Sequence, residues 1–218
     1  MSTAAADLDP GLVVTAWDVG SRLVPYLEGW DRQRELHRSV STGAAPNTVL
    51  LLEHESVFTA GRSTQPADLP FDGSAVIEVD RGGRITWHGP GQLVAYPIVR
   101  LGEPLDVRRY VCLLEQAIIG TCRELGLDTD RVPGRTGVWV EGRRKVAAIG
   151  VRVSRGATMH GLALNCSNDL SWYDRIVPCG IRDAGVTSLS AELGRTVAVA
   201  EAVEPLSEHL RASLARYR

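Results

Sequence analysis

Short apolar, β-branched segments that arrive in clusters, with one strongly periodic helix between them and another at the end, predict an α/β (α+β) fold. Its expected form is mixed, largely antiparallel sheets with helices packed on one side. The strict strand-helix alternation of a doubly wound nucleotide-binding fold is missing. In chain order, LVVTAWD at 12–18 is the first strand. Residues 22–40 carry Leu23, Leu27, Trp30 and Leu36 at helical spacing, with Pro25 fitting only in the first turn, where a missing N–H breaks no bond. TVLLLEH (48–54), AVIEVD (75–80) and LVAYPIV (93–99) read as strands, linked by a Gly-, Ser- and Pro-rich connection at 61–70 and a glycine-punctuated span. Asp106 caps a helix to Leu125, because Val107, Val111, Leu114, Ile118, Cys122 and Leu125 recur every three or four residues; Gly126 stops it. GVWVEG (137–142), KVAAIGVRV (145–153) and HGLALNC (160–166) are neighbouring strands with a buried face. From about Ala198 a last helix aligns Val203, Leu206, Leu210 and Leu214, with Pro205 in its opening turn or at a kink.

A chain of 218 residues with 44% hydrophobic and 23% charged residues has material for one domain and no disorder signature, residues 1–10 being expected to be flexible. The 24 basic and 26 acidic residues give a net charge of −2, which argues against nucleic acid as a partner. No apolar run approaches the ~18 to 20 residues needed to span a bilayer, and MSTAAADLDPG has no basic leader, so the expectation is a cytoplasmic protein without membrane contact. Cys112, Cys122, Cys166 and Cys179 form no C-x-x-C pair or zinc spacing and read as free thiols in a reducing compartment; no metal site is expected.

Chemistry has three candidate seats. Of the 24 basic residues only Lys145 is a lysine, and a compact ammonium that can lose its proton is something the 23 arginines cannot supply. Cys179 lies in VPCGI, between a residue that fixes φ and one that frees it, a placement that presents a side chain as a nucleophile requires. Cys112 and Cys122 fall in the predicted helix, where a cysteine is usually a small core residue, and Cys166 ends a strand. A free thiol is only about 3% ionised at pH 7, so Cys179 needs a cation or a base. Lys145 is one candidate; His88 and His160 are others and would give a Cys-His dyad of hydrolase type. His37, His54 and His209 look like surface or helix positions. The third seat is RGGRITWHGPGQ at 81–92, where glycines let a backbone approach a ligand and Arg81, Arg84 and His88 place donors around it; neither a dinucleotide fingerprint nor a P-loop is matched.

RGGRITWHGPGQLVAYPI, RKVAAIGVRVSRG, HGLALNCSNDL and RIVPCG followed by TSL resemble, in order and spacing over roughly 45–190, the octanoyltransferases of lipoate biosynthesis. The resemblance implies the biotin/lipoate protein ligase-like catalytic fold. It further implies that Cys179 carries an octanoyl thioester while Lys145 tunes the thiol and moves protons. By the same resemblance Arg81, Gly82, Gly83, Arg84, Ile85, Thr86, Trp87 and His88, with Ala148, Ile149, Gly150, Gly161, Leu162 and Ala163, line the substrate. The family often has Tyr where this chain has Trp87 and a small apolar residue where it has Cys166. The implied partners are acyl carrier protein, whose phosphopantetheine brings the acyl group, and the lipoyl domains of 2-oxoacid dehydrogenase complexes and the glycine cleavage H protein. No separate cofactor is implied. Arg143, Arg144, Arg152 and Arg155 are then candidates for a face that docks an acidic carrier, and backbone N–H groups near Leu162 or Cys179 for an oxyanion hole. The alternatives are an ATP-dependent lipoate ligase, a non-catalytic acyl-binding module, and a thioesterase or amidase working through His160 or His88.

Overall fold

The computed structural model describes residues 11–176 and 184–217; Cys179 and residues 1–10 lie outside them. The chain runs β1 (Val13–Ala16), α1 (Tyr26–Ser41), β2 (Thr48–Leu52), β3 (Val57–Ala60), β4 (Val76–Glu78), β5 (Thr86–His88), β6 (Gln92–Ile98), α2 (Val107–Glu124), β7 (Asp130–Val132), β8 (Arg135–Val140), β9 (Arg144–Ser154), β10 (Ala157–Asn165), β11 (Gly185–Val186), α3 (Leu189–Leu193) and α4 (Val199–Leu214). The main sheet has the order β1-β2-β6-β10-β9-β8-β7, with β11 beside β9, and a second sheet has the order β4-β3-β5. Only β1–β2, β9–β11 and β3–β4 are parallel, so the mixed, largely antiparallel architecture expected from the sequence is the one observed.

Alternation along β6 and β10 splits the core in two. One face buries Leu93, Ala95, Leu162 and Leu164 against Leu114 and Ile118 of α2 and Leu206 and Leu210 of α4. The other carries Val94, Tyr96, Ile98 and Ala163 beneath Val40 and Leu36 of α1. Helices therefore cover both faces, not one. The helix α2 follows its pattern, with the Asp106 carboxylate accepting from Arg109 N–H at 2.9 Å and Gly126 at φ +94° closing it. Cys112 of that helix is exposed, whereas Cys122 is buried, because the apolar stripe excludes position 112.

The expectation for α1 needs correction. Leu27 is 57% exposed, and the residues turned inward are Tyr26, Gly29, Gln33, His37 and Val40. Beside the apolar patch under Val40 and Leu36, the surface that α1 covers is polar, and its inward side chains supply what that part lacks. Gln33 Oε1 accepts from His160 N–H at 2.8 Å, and His37 Nε2 donates to Ser154 O at 2.9 Å. A Cβ on Gly29 would stand 2.8 Å from His54 Cε1, so this helix can close on the sheet only with glycine there. His37 and His54, read as surface or helix positions, are both buried, His37 within α1. Pro25 is the residue before the first turn, and Pro205 lies inside α4.

Candidate active site

A cavity of about 350 Å³ lies on the α1 face of the main sheet. Its floor follows from residue size: Gly161 pairs with Gly150 and Ala163 with Ala148, a block of four minimal side chains on β9 and β10 that leaves space above the sheet. Its walls are Tyr26 of α1, Tyr96 of β6, the 81–84 loop with β5, the turn into β8, and Lys145.

Of the residues expected on sequence grounds, Arg81, Gly83, Arg84, Thr86, His88, Lys145, Ala148, Ile149, Gly150, Gly161, Leu162 and Ala163 meet on this cavity. Strand alternation separates the others in β5. Thr86 and His88 face the cavity, while Ile85 and Trp87 are buried on the far side with Phe58, Tyr173 and Ile176, Trp87 stacking on Trp172 at 5.7 Å. Gly82 is also off the wall; its N–H donates to Val151 O at 2.9 Å and ties the loop to β9. Arg81 is buried and donates to Thr59 O (2.8 Å), Thr59 Oγ1 (3.0 Å) and Arg84 O (2.8 Å), so its guanidinium holds the loop in shape. Sequence reading missed Tyr26, Ser63, Tyr96 and the 134–136 turn. For Tyr96 the signal was present: it is two residues from Val94 and so shares its face.

A bulge aims Lys145. Trp139 pairs with Lys145 but Val138 with Ala147, so Val146 is an extra residue in β9, and Val146 and Ala147 both enter the core while Lys145 emerges on the cavity side. The side chain is 7% exposed, with Nζ 4.7 Å from the Trp139 ring centroid. Gly137, at φ +115°, makes room: a Cβ there would lie 2.5 Å from Ala147 O and 3.4 Å from Lys145 Cε. Gly137→Ala is expected to lower the melting temperature, by several degrees, and to shift Lys145; calorimetry checks the first. On the other side Val186 of β11 pairs with Lys145, and Thr187 N–H donates to Lys145 O at 2.9 Å. Among the four arginines expected to form a docking face, Arg144 is held by Glu192 at 2.7 Å and Glu141 at 2.9 Å, and Arg152 by Asp80. Arg143 and Arg155 are exposed.

Two buried histidines, His88 and His160, line the cavity, and a third, His54, is bonded to its Tyr96. Burial pushes the pKa of His54 down to about 4 and that of His88 down to about 3, and it lowers that of His160, so neutral imidazoles prevail at pH 7. His160 takes φ +58° inside β10, and its Nε2 donates to Asp80 Oδ1 at 2.8 Å. That donation, followed by the Arg152 charge, holds the Asp80 carboxyl below its usual range against the opposing effect of burial. Among the described residues no group of three or more His, Cys, Asp or Glu could hold a metal ion, and no helix is long and apolar enough to cross a membrane.

Residues 25–211 match the lipoyl protein ligase A/B catalytic domain, and the chain belongs to that family. Within it the similarity is to octanoyltransferases: it is 61% identical to that of Clavibacter sepedonicus over 207 residues, covering 91% of this chain and 88% of the relative. The octanoyltransferase of Thermobifida fusca is 58% identical over 205 residues, 90% of this chain and 87% of the relative. The chain thus stands among the acyltransferases of lipoate biosynthesis. In fold it resembles the bipartite lipoate protein ligase of Thermoplasma acidophilum, with a TM-score of 0.67 at 14% identity over 95% of this chain and 85% of that one. The biotin protein ligase of Aquifex aeolicus gives a TM-score of 0.52 at 12% identity, over 95% and 69%.

Proposed function

We propose that this acyltransferase takes an octanoyl group from octanoyl-acyl carrier protein onto Cys179 as a thioester and passes it to the ε-amino group of a lysine on a lipoyl domain. The acceptors would be the lipoyl domains of 2-oxoacid dehydrogenase complexes and the glycine cleavage H protein. The observation that carries the reading is Lys145, the chain's single lysine, buried at a small-residue cavity beside β11. β11 begins two residues after the 177–183 segment that contains Cys179. On the other side of that segment Ile176, three residues from Cys179, is packed against Trp87 and Tyr173 behind β5.

In the first half-reaction Lys145 takes the Cys179 proton, the thiolate attacks the donor carbonyl, and the departing carrier sulfur leaves with the proton from the Lys145 ammonium. In the second, the neutral acceptor amine attacks the acyl-enzyme, gives its proton to neutral Lys145, and the Cys179 sulfur leaves as the thiolate. This regenerates the ion pair from which the next turnover starts. The thioester donor is already activated, so the reaction needs no ATP and no cofactor beyond the donor's own phosphopantetheine. Six methylenes buried over the floor contribute up to ~5 kcal/mol at ~0.8 kcal/mol each.

Intact-protein mass measurement tests the reading. Mixing the chain with octanoyl-acyl carrier protein should add one octanoyl group, absent in Cys179→Ser, and a lipoyl domain should then remove it without ATP. No adduct on the parent chain rejects the acyl-enzyme route.

A further inference from the structure

Two hydrogen-bond relays end on the cavity wall, and both end in a lone pair. The Thr187 carbonyl can only accept, so Asn165 Nδ2 donates to it at 2.9 Å and Asn165 Oδ1 is left to accept. Gln92 Nε2 therefore donates to Asn165 Oδ1 at 2.8 Å, which leaves Gln92 Oε1 as the acceptor for His88 Nδ1–H at 2.7 Å. His88 is buried as the neutral ring, so its Nε2 is an unprotonated acceptor, and it has no hydrogen-bond partner among the described residues. In the second relay the Val24 carbonyl accepts from His54 Nδ1–H at 2.7 Å, and neutral His54 then offers its Nε2 to the Tyr96 hydroxyl at 2.6 Å. The Tyr96 proton is committed, and what its oxygen presents to the cavity is a lone pair. Tyr26 brings the two relays together: its ring stacks on His88 at 6.1 Å and lies 5.1 Å from His54.

Two fixed acceptors on the lining of one cavity are a poor match for an acyl tail, which has no donor, and for a thioester or carboxylate oxygen, which is itself an acceptor. Each lone pair left facing such a group is a desolvated acceptor without a donor, which disfavours that occupant. A neutral primary amine is different, because it has two N–H bonds to give and keeps its own lone pair free to attack. We propose that His88 Nε2 and Tyr96 Oη seat the amino group of the acceptor lysine, each accepting one of its N–H bonds. This assignment rests on the transfer reading above and adds to it the group that orients the nucleophile. His88 and Tyr96 point the nitrogen lone pair at the thioester, and once the new C–N bond has formed one of the two N–H protons leaves its acceptor for neutral Lys145. Cations on the same cavity, Arg81 and Arg84, favour the uncharged amine over the ammonium.

The test uses a ratio that does not depend on how much of a variant is folded. The octanoylated chain is offered a lipoyl domain, and the octanoyl group is followed to the acceptor lysine and to water in the same tube. Tyr96→Phe and His88→Phe should each lower the amide-to-octanoate ratio at least tenfold, because water needs no orientation of a second N–H. A ratio equal to the parent's in both variants overturns the assignment. So does an unchanged ratio with slower loading from octanoyl-acyl carrier protein, since that result gives the two acceptors to an amide N–H of the donor's arm. If the parent chain forms no adduct at all, the transfer reading has failed before this question is reached.

Discussion

Lys145→Met is expected to fold and to lose at least 100-fold in both adduct formation and kcat, and Lys145→Arg is expected to be no better. Methionine keeps the apolar stem that lies against Gly137 and the Trp139 ring, so the packing of β8 on β9 survives. What it removes is the amine, and a positioned proton-transfer group contributes typically ~10² to 10⁴ in rate. Arginine separates two explanations of that loss. If Lys145 acted only by placing positive charge near the Cys179 sulfur, a guanidinium would restore much of the rate. If it must release and recover a proton in each cycle, arginine fails, because it stays charged. Single-turnover mass measurement with octanoyl-acyl carrier protein, beside steady-state rates, checks both variants. Arginine activity within threefold of the parent would remove the proton-transfer role, and a fully active methionine variant would remove Lys145 from the chemistry.

The sequence singled out Lys145 by composition, but composition does not say which way a side chain points. A strict two-residue period along β9 would put Lys145 with Ala147 and Ile149 in the α2 core; the bulge at Val146 reverses it. That bulge depends on Gly137 of the neighbouring strand, a partner no window along β9 contains. The same limit explains α1. Its leucines form a readable stripe of which Leu36 packs on the sheet, yet the buried stripe is Tyr26, Gly29, Gln33, His37 and Val40, because the surface it meets carries His54, Tyr96 and His160. Those contacts join residues 30 to 127 positions apart. β5, by contrast, contains its own answer: once it is a strand, Thr86 and His88 must share one face and Ile85 and Trp87 the other. The resemblance had placed all four on the substrate, and alternation alone would have divided them. β3, β7, β11 and α3, two to five residues long, are too short to carry a period; pairing with other strands defines the first three, and the Ser188 and Gly194 caps bound α3.

Acid should unfold this protein sooner than its core predicts. His54 and His88 are held neutral, with pKa values pushed down to about 4 and about 3 chiefly by burial. In the unfolded chain both return to about 6.5. Between these values the unfolded state binds protons that the native state refuses, so stability is fully present above pH ~6.5 and falls as the pH drops towards 4. Each histidine removes up to about 1.4 kcal/mol per pH unit over that window. Together they reach ~6 kcal/mol near pH 4, comparable with the whole net stability of many domains, ~5 to 15 kcal/mol. His160 acts in the same direction, its pKa also lowered by burial. Asp80 adds its own loss at lower pH, since its carboxyl titrates below the usual range in the folded state. Thermal melts from pH 8 to pH 4 should show the decline beginning near 6.5. In His54→Gln the amide can still donate to Val24 O and accept from the Tyr96 hydroxyl but cannot take a proton, so the profile should flatten by roughly one proton's slope. Parallel profiles for parent and variant would mean that His54 is not the buried neutral base on which the Tyr96 relay depends.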